Sequence, residues 1–126
     1  MNKMLFLVLA FALLLSCSSS YVGGGYTESL LPTVDLVSNP SVDNVVFRIY
    51  SDKSLQTLIR ESRGSGRVIV EIPEGKYYFE AWKDENGNNI IDTGDLYGVD
   101  TTGKNITYYD CRPCQVTINL STITGR

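Results

Sequence analysis

The chain has 126 residues, 43% hydrophobic and 20% charged, which leaves room for one globular domain and argues against a disordered or fibrous chain. A net charge of −3 and a pI near 4.8 offer no basic surface to a phosphate backbone, so nucleic acid is not an expected partner. Histidine is absent. That removes the commonest general base and the commonest zinc ligand, and with them any Ser–His–Asp set.

The first element reads as a targeting segment. Lys3 gives a short positive region, and Met4 to Leu15 (MLFLVLAFALLL) is an unbroken apolar run of twelve. A spanning helix needs about 20 such residues, so the run suits the apolar core of a secretory signal. It ends in Leu14-Leu15-Ser16-Cys17, which resembles the lipobox of bacterial lipoproteins. The resemblance implies cleavage before Cys17, with lipid on its sulfur and on the new amino group. Several acyl chains give durable anchoring where one is marginal. The alternative is an ordinary cleaved signal followed by a chance cysteine. Ser18 after the cysteine, rather than Asp, implies delivery to the outer membrane of a bacterial envelope. Without residues 1–16 the chain keeps 10 basic and 14 acidic residues, a charge of −4. Ser18 to Thr33 is rich in Ser and Gly and reads as a flexible tether. The expected division is a signal peptide at 1–16, lipidated Cys17 and tether at 17–40, and a domain at 41–126.

From Val42 onward the pattern is that of strands. Val45 to Tyr50 (VVFRIY) is β-branched and aromatic with Arg48 in the middle, as in a strand with one wet face. Leu55 to Arg60 is too short to separate a strand from a helical turn, and Ser62 to Arg67 is a turn by composition. In RVIVEI, Val68, Val70 and Ile72 share one face; in KYYFEAW, Tyr77, Phe79 and Ala81 do. Ile72 to Gly75 (IPEG) between them fits a type I turn, so the two segments are expected to form a hairpin. Leu96 to Val99 and Lys104 to Asp110 read as further strands. In QVTINLSTI, Val116, Ile118 and Leu120 alternate against polar residues. No stretch after the signal keeps a helical period. Six or seven short strands between turn signals point to an all-β, antiparallel sandwich. A domain of this size has a thin stability margin, so staples are expected.

Between the strands lies Asp84 to Asp95, DENGNNIIDTGD. Oxygen-bearing side chains occupy its first, third, fifth, ninth and twelfth places. Calcium takes six to eight oxygens at about 2.3–2.6 Å, and alternating carboxylates and amides converge as such a loop curls. The expected ligands are Asp84, Asn86, Asn88, the backbone carbonyl of Ile90, Asp92 (directly or through water) and Asp95. The spacing resembles the EF-hand pattern with two departures: Asn89 replaces the turn glycine, and Asp95 replaces the closing Glu. Converging carboxylates repel at about 4 kcal/mol per close pair at an effective dielectric near 20, and a bound cation reverses that sign. Magnesium prefers a rigid octahedron with its waters, and zinc lacks its nitrogen and sulfur ligands. The expected role is structural, with a Kd on the order of 10⁻⁴ to 10⁻³ M. A polar hairpin loop without metal is the plainer alternative, because Asn, Asp and Gly favour turns in any case.

Val68 to Gly98 as a whole resembles a group of bacterial envelope lipoproteins with a prealbumin-like (carboxypeptidase regulatory-like, Ig-like) β-sandwich. The pattern falls on Pro73, Gly75, Tyr77, Ala81, Trp82, Asp84, Asn86, Asn88, Asp92, Gly94, Asp95, Tyr97 and Gly98. The resemblance implies a fold and a metal loop. Such domains serve as accessory, surface or adhesion modules, so it implies little about role and no enzyme activity.

Cys111-Arg-Pro-Cys114 is a C-x-x-C pair. In an oxidising compartment it reads first as a structural disulfide closing a turn. A redox pair would sit at a helix N-terminus, and no helical segment follows. Free thiols or a shared metal are the remaining readings. The chain also has eight tyrosines, which are either ordinary strand residues or, in part, a face for a sugar or protein partner. The sequence thus points to a non-enzymatic, membrane-anchored lipoprotein with a calcium loop. A periplasmic thiol-disulfide protein using Cys111 and Cys114 is the alternative.

Overall fold

A computed structural model describes residues 31–111 and 113–125; the expected signal, Cys17 and most of the tether lie outside them. Eight strands follow in order: β1 (Thr33–Asn39), β2 (Val45–Tyr50), β3 (Leu58–Gly64), β4 (Arg67–Glu71), β5 (Gly75–Lys83), β6 (Leu96–Ile106), β7 (Cys114–Asn119) and the two-residue β8 (Ser121–Thr122). They form two sheets, β4-β1-β7 and β3-β2-β5-β6-β8. The described residues contain no helix, and the all-β sandwich stands.

Alternation explains how the sheets face each other. Successive residues of a strand point to opposite sides, and β1, β2, β4, β5 and β7 each turn an apolar side to the core. Val34 and Leu36 of β1, Val70 of β4, and Val116 and Ile118 of β7 meet Val45, Phe47 and Ile49 of β2 and Tyr77, Phe79 and Ala81 of β5. Phe47, Phe79, Leu36 and Ile49 are among the largest fully buried side chains.

Five expectations change. Ser62 to Gly64 lie in β3 and Arg67 opens β4, so the turn expected over Ser62 to Arg67 shrinks to Ser65 and Gly66. Residues 68–72 and 77–82 are not a hairpin: β4 pairs with β1, whereas β5 pairs with β2 and β6. Ile72 to Glu74 is an arch between the sheets, and the two apolar faces meet across the core instead of lying side by side. Pro73 cannot donate to a ladder, and its carbonyl accepts the Tyr77 hydroxyl at 2.8 Å. The sandwich begins before residue 41, because β1 is the middle strand of its sheet. Asp35 gives that segment a polar look, but Arg67 of β4 clasps its carboxylate with two 2.8 Å bonds. The sheets are not wholly antiparallel, since β1 and β7 run parallel. Finally, the two segments expected at 96–99 and 104–110 fuse into the single strand β6, and Tyr108 to Asp110 belong to the turn that follows.

Two close approaches fix the ends. The carbonyl of Pro32 accepts the amide of Ile72 where the chain enters the sandwich. At the other end a Cβ on Gly98 would overlap the carbonyl oxygen of Asn119, so β6 passes β7 there only because residue 98 has no side chain. The strand registers put the loop after β5 at this second end, opposite the point of entry.

Candidate functional site

The loop from Asp84 to Asp95 joins two paired neighbours, with Lys83 of β5 opposite Leu96 of β6. Its ends are therefore held by the ladder while its middle is exposed. Asp84 organises the first half, where Oδ1 accepts the amide of Gly87 at 2.9 Å and Oδ2 that of Asn89 at 2.6 Å. Asn89 has φ +62°, so at the place where the pattern asks for glycine the chain adopts the left-handed conformation that Asn tolerates. Asn86 Oδ1 accepts the amide of Asn88 at 3.1 Å, and Asn88 Oδ1 that of Ile90 at 3.0 Å. These local turns explain why Asn at alternate positions folds the segment on itself.

Three of the expected ligands come together. The side-chain amides of Asn86 and Asn88 donate to the two oxygens of Asp92, at 3.2 and 2.7 Å. Ile90 lies at the rim with 60% of its surface exposed. Asp95 does not join them. It is fully buried, and its oxygens accept the Trp82 indole N–H at 2.9 Å, the Glu85 amide at 2.9 Å and the Asp92 amide at 3.1 Å. Burial works to raise the pKa of this carboxyl, but the bonds from Trp82, Glu85 and Asp92 outweigh it and hold the group below its ordinary value.

As a donor set the exposed loop is hard and oxygen-only, which fits calcium better than zinc. Each Asn oxygen that accepts one amide keeps a second lone pair. Among the described residues no three His, Cys, Asp or Glu side chains lie close enough to share an ion, so the donors of this loop are a mixture of amides and separated carboxylates.

A second polar group lies beside the loop, on the outer face of the five-stranded sheet. Glu80 of β5 is 6% exposed. Its Oε1 accepts Arg48 Nη1 at 3.2 Å and the Tyr50 hydroxyl at 3.0 Å, and its Oε2 accepts the Tyr97 hydroxyl at 2.6 Å. Arg48 also binds Glu61 of β3 at 2.8 Å and lies 5.4 Å from the centre of the Trp82 ring. Burial, then the bond to Glu80 and its charge, push the Tyr97 phenol well above its ordinary pKa. The sequence reading missed this cluster. Its signal is visible only once the register sets Arg48 against Glu80 and Tyr97 against Trp82. The hydroxyls of Tyr50 and Tyr97 are thus engaged by Glu80, and Tyr77 belongs to the core; Tyr21 and Tyr26 lie outside the described residues.

Cys111 and Cys114 have their sulfurs at bonding distance. Cys111 is 1% exposed and part of the core cluster, and Cys114 opens β7. A strand follows the pair, so the helix dipole that lowers a redox thiol's pKa is missing.

No family model, no curated protein and no solved structure matches this chain.

Proposed function

We propose that the protein is a non-enzymatic lipoprotein of a bacterial envelope. In this reading Cys17 carries lipid in the outer membrane, and a prealbumin-like sandwich takes one structural calcium ion in the loop 84–95. Asp84, Asn86, Asn88, Asp92 and the carbonyl of Ile90 are the residues that would hold it. The observation that carries the reading is the convergence of Asn86 and Asn88 on Asp92 in a hairpin loop whose Asn89 already has the conformation such a loop needs. A cation there would join the two halves of the loop and stiffen one end of a small domain. The loop lies at the end of the sandwich away from Pro32 and Ile72. The module would serve a structural, binding or accessory role, with a protein or glycan as its partner.

Thermal melting tests the reading. Millimolar Ca²⁺ is expected to raise the melting temperature over that in chelator, and Asp84→Ala to abolish the difference. At 100 times its Kd a ligand adds about 2.7 kcal/mol, but at only a few times Kd the gain is below about 1 kcal/mol, a shift of a few degrees. Equal melting in calcium and in chelator would refute the calcium assignment.

A further inference from the structure

The twelfth place of the loop pattern belongs to Asp95, where a closing ligand is expected. The carboxylate instead points into the protein. Both oxygens are taken, by donors from three places: Glu85 at the start of the loop, Asp92 near its end and Trp82 on β5. The backbone of Asp95 adds two more ties, donating to the Asp92 carbonyl at 3.1 Å and accepting the amide of Ile123 at 2.8 Å. Drawing the carboxylate out to an ion would leave a buried indole N–H and two part-buried amides without their acceptor, which is costly.

We propose that Asp95 is a positioning residue and not a metal ligand. It fastens both ends of the loop to the outer face of the five-stranded sheet through Trp82. Its role as a fastener stands on the geometry alone, whereas its exclusion from the ligand set rests on the calcium reading above. At one oxygen each, the remaining donors give fewer than the six to eight that calcium takes, so water completes the shell. Trp82 is the second half of the device, since its ring lies against Arg48 and its N–H holds Asp95.

The chain has a single tryptophan, so uniformly ¹⁵N-labelled protein gives one indole N–H resonance. Its hydrogen exchange is followed in chelator and then in saturating Ca²⁺. The expected result is strong protection in both, agreeing within about twofold. Weak protection in chelator would overturn the fastening role, and a loss of tenfold or more on adding Ca²⁺ would overturn the exclusion of Asp95 as a ligand. Variants give an independent reading. Asp95→Asn and Trp82→Phe are each expected to lower the melting temperature in chelator. Because both weaken the same set of contacts around Asp95, the double variant should fall by less than the sum of the two. They should also change calcium affinity in the same sense and within about threefold of each other. If Asp95→Asn melts like the parent in chelator but weakens Ca²⁺ binding at least tenfold, while Trp82→Phe leaves binding unchanged, Asp95 is a ligand. Should Asp95→Asn fail to fold, Trp82→Phe and the indole resonance carry the test. A parent chain that binds no Ca²⁺ would refute the calcium reading, and the exchange in chelator would still decide the fastening role.

Discussion

Glu80 shows what a single buried charge demands. An unpaired carboxylate in its position would be expensive, and three donors from two neighbouring strands make it tolerable: Arg48, Tyr50 and Tyr97. Tyr97 makes the shortest of the three bonds, so Tyr97→Phe is expected to cost about 1.5–3 kcal/mol in urea unfolding, the range for a bond to a charged group. An unchanged midpoint would mean that Arg48 and Tyr50 satisfy Glu80 without it. The pH dependence has a definite sign. The phenol's pKa is higher folded than unfolded, so its contribution is fully present below the unfolded value of about 10 and is lost as pH rises through the folded one. Tyr97→Phe should therefore flatten the alkaline fall in stability. None of this was legible in the sequence. Glu80 is 32 residues from Arg48 and 17 from Tyr97, and only strand register brings them together. The alternation that marks Tyr77, Phe79 and Ala81 as core also marks Glu80 as outward, with no hint of its partners.

Single elements differ in how far their own residues determine them, for a physical reason that differs from case to case. The loop from Asp84 to Asp95 was legible because Asx turns act over two to five residues, as the bonds of Asp84, Asn86 and Asn88 show. Asp95 was not, since its direction depends on Trp82 and the sheet behind it. The arch at Ile72 to Glu74 passed for a hairpin turn because alternating strands joined by Pro-x-Gly look the same in either arrangement. The partner of Val68 to Glu71 is β1, a segment whose Asp35 and Ser38 disguised it as tether. The cysteine pair was legible, having its partner three residues away. A four-residue ring restricts the unfolded chain only slightly, so reduction is expected to cost about 2 kcal/mol. Urea unfolding with and without reductant measures it. A loss of 5 kcal/mol or more would show that Cys111, buried in the core, supports packing well beyond the ring it closes.

Taken whole, the molecule combines a packed two-sheet core with an exposed loop at the end away from chain entry. The all-β sandwich was legible because β1, β5 and β7 alternate core-facing apolar residues with others and nothing among the described residues keeps a helical period. The pairing of the sheets and the parallel placing of β1 beside β7 were not, because alternation fixes which face is buried and says nothing about neighbours. The calcium reading joins the two levels: an ion would neutralise the exposed acidic end of a small domain and tie its longest loop to β5 and β6. Titration calorimetry of the protein with Ca²⁺ puts this to the test. One ion per chain is expected, with a Kd on the order of 10⁻⁴ to 10⁻³ M and loss of the binding heat in Asp84→Ala. No binding up to 10 mM by the parent chain, or the same isotherm from Asp84→Ala, would contradict it.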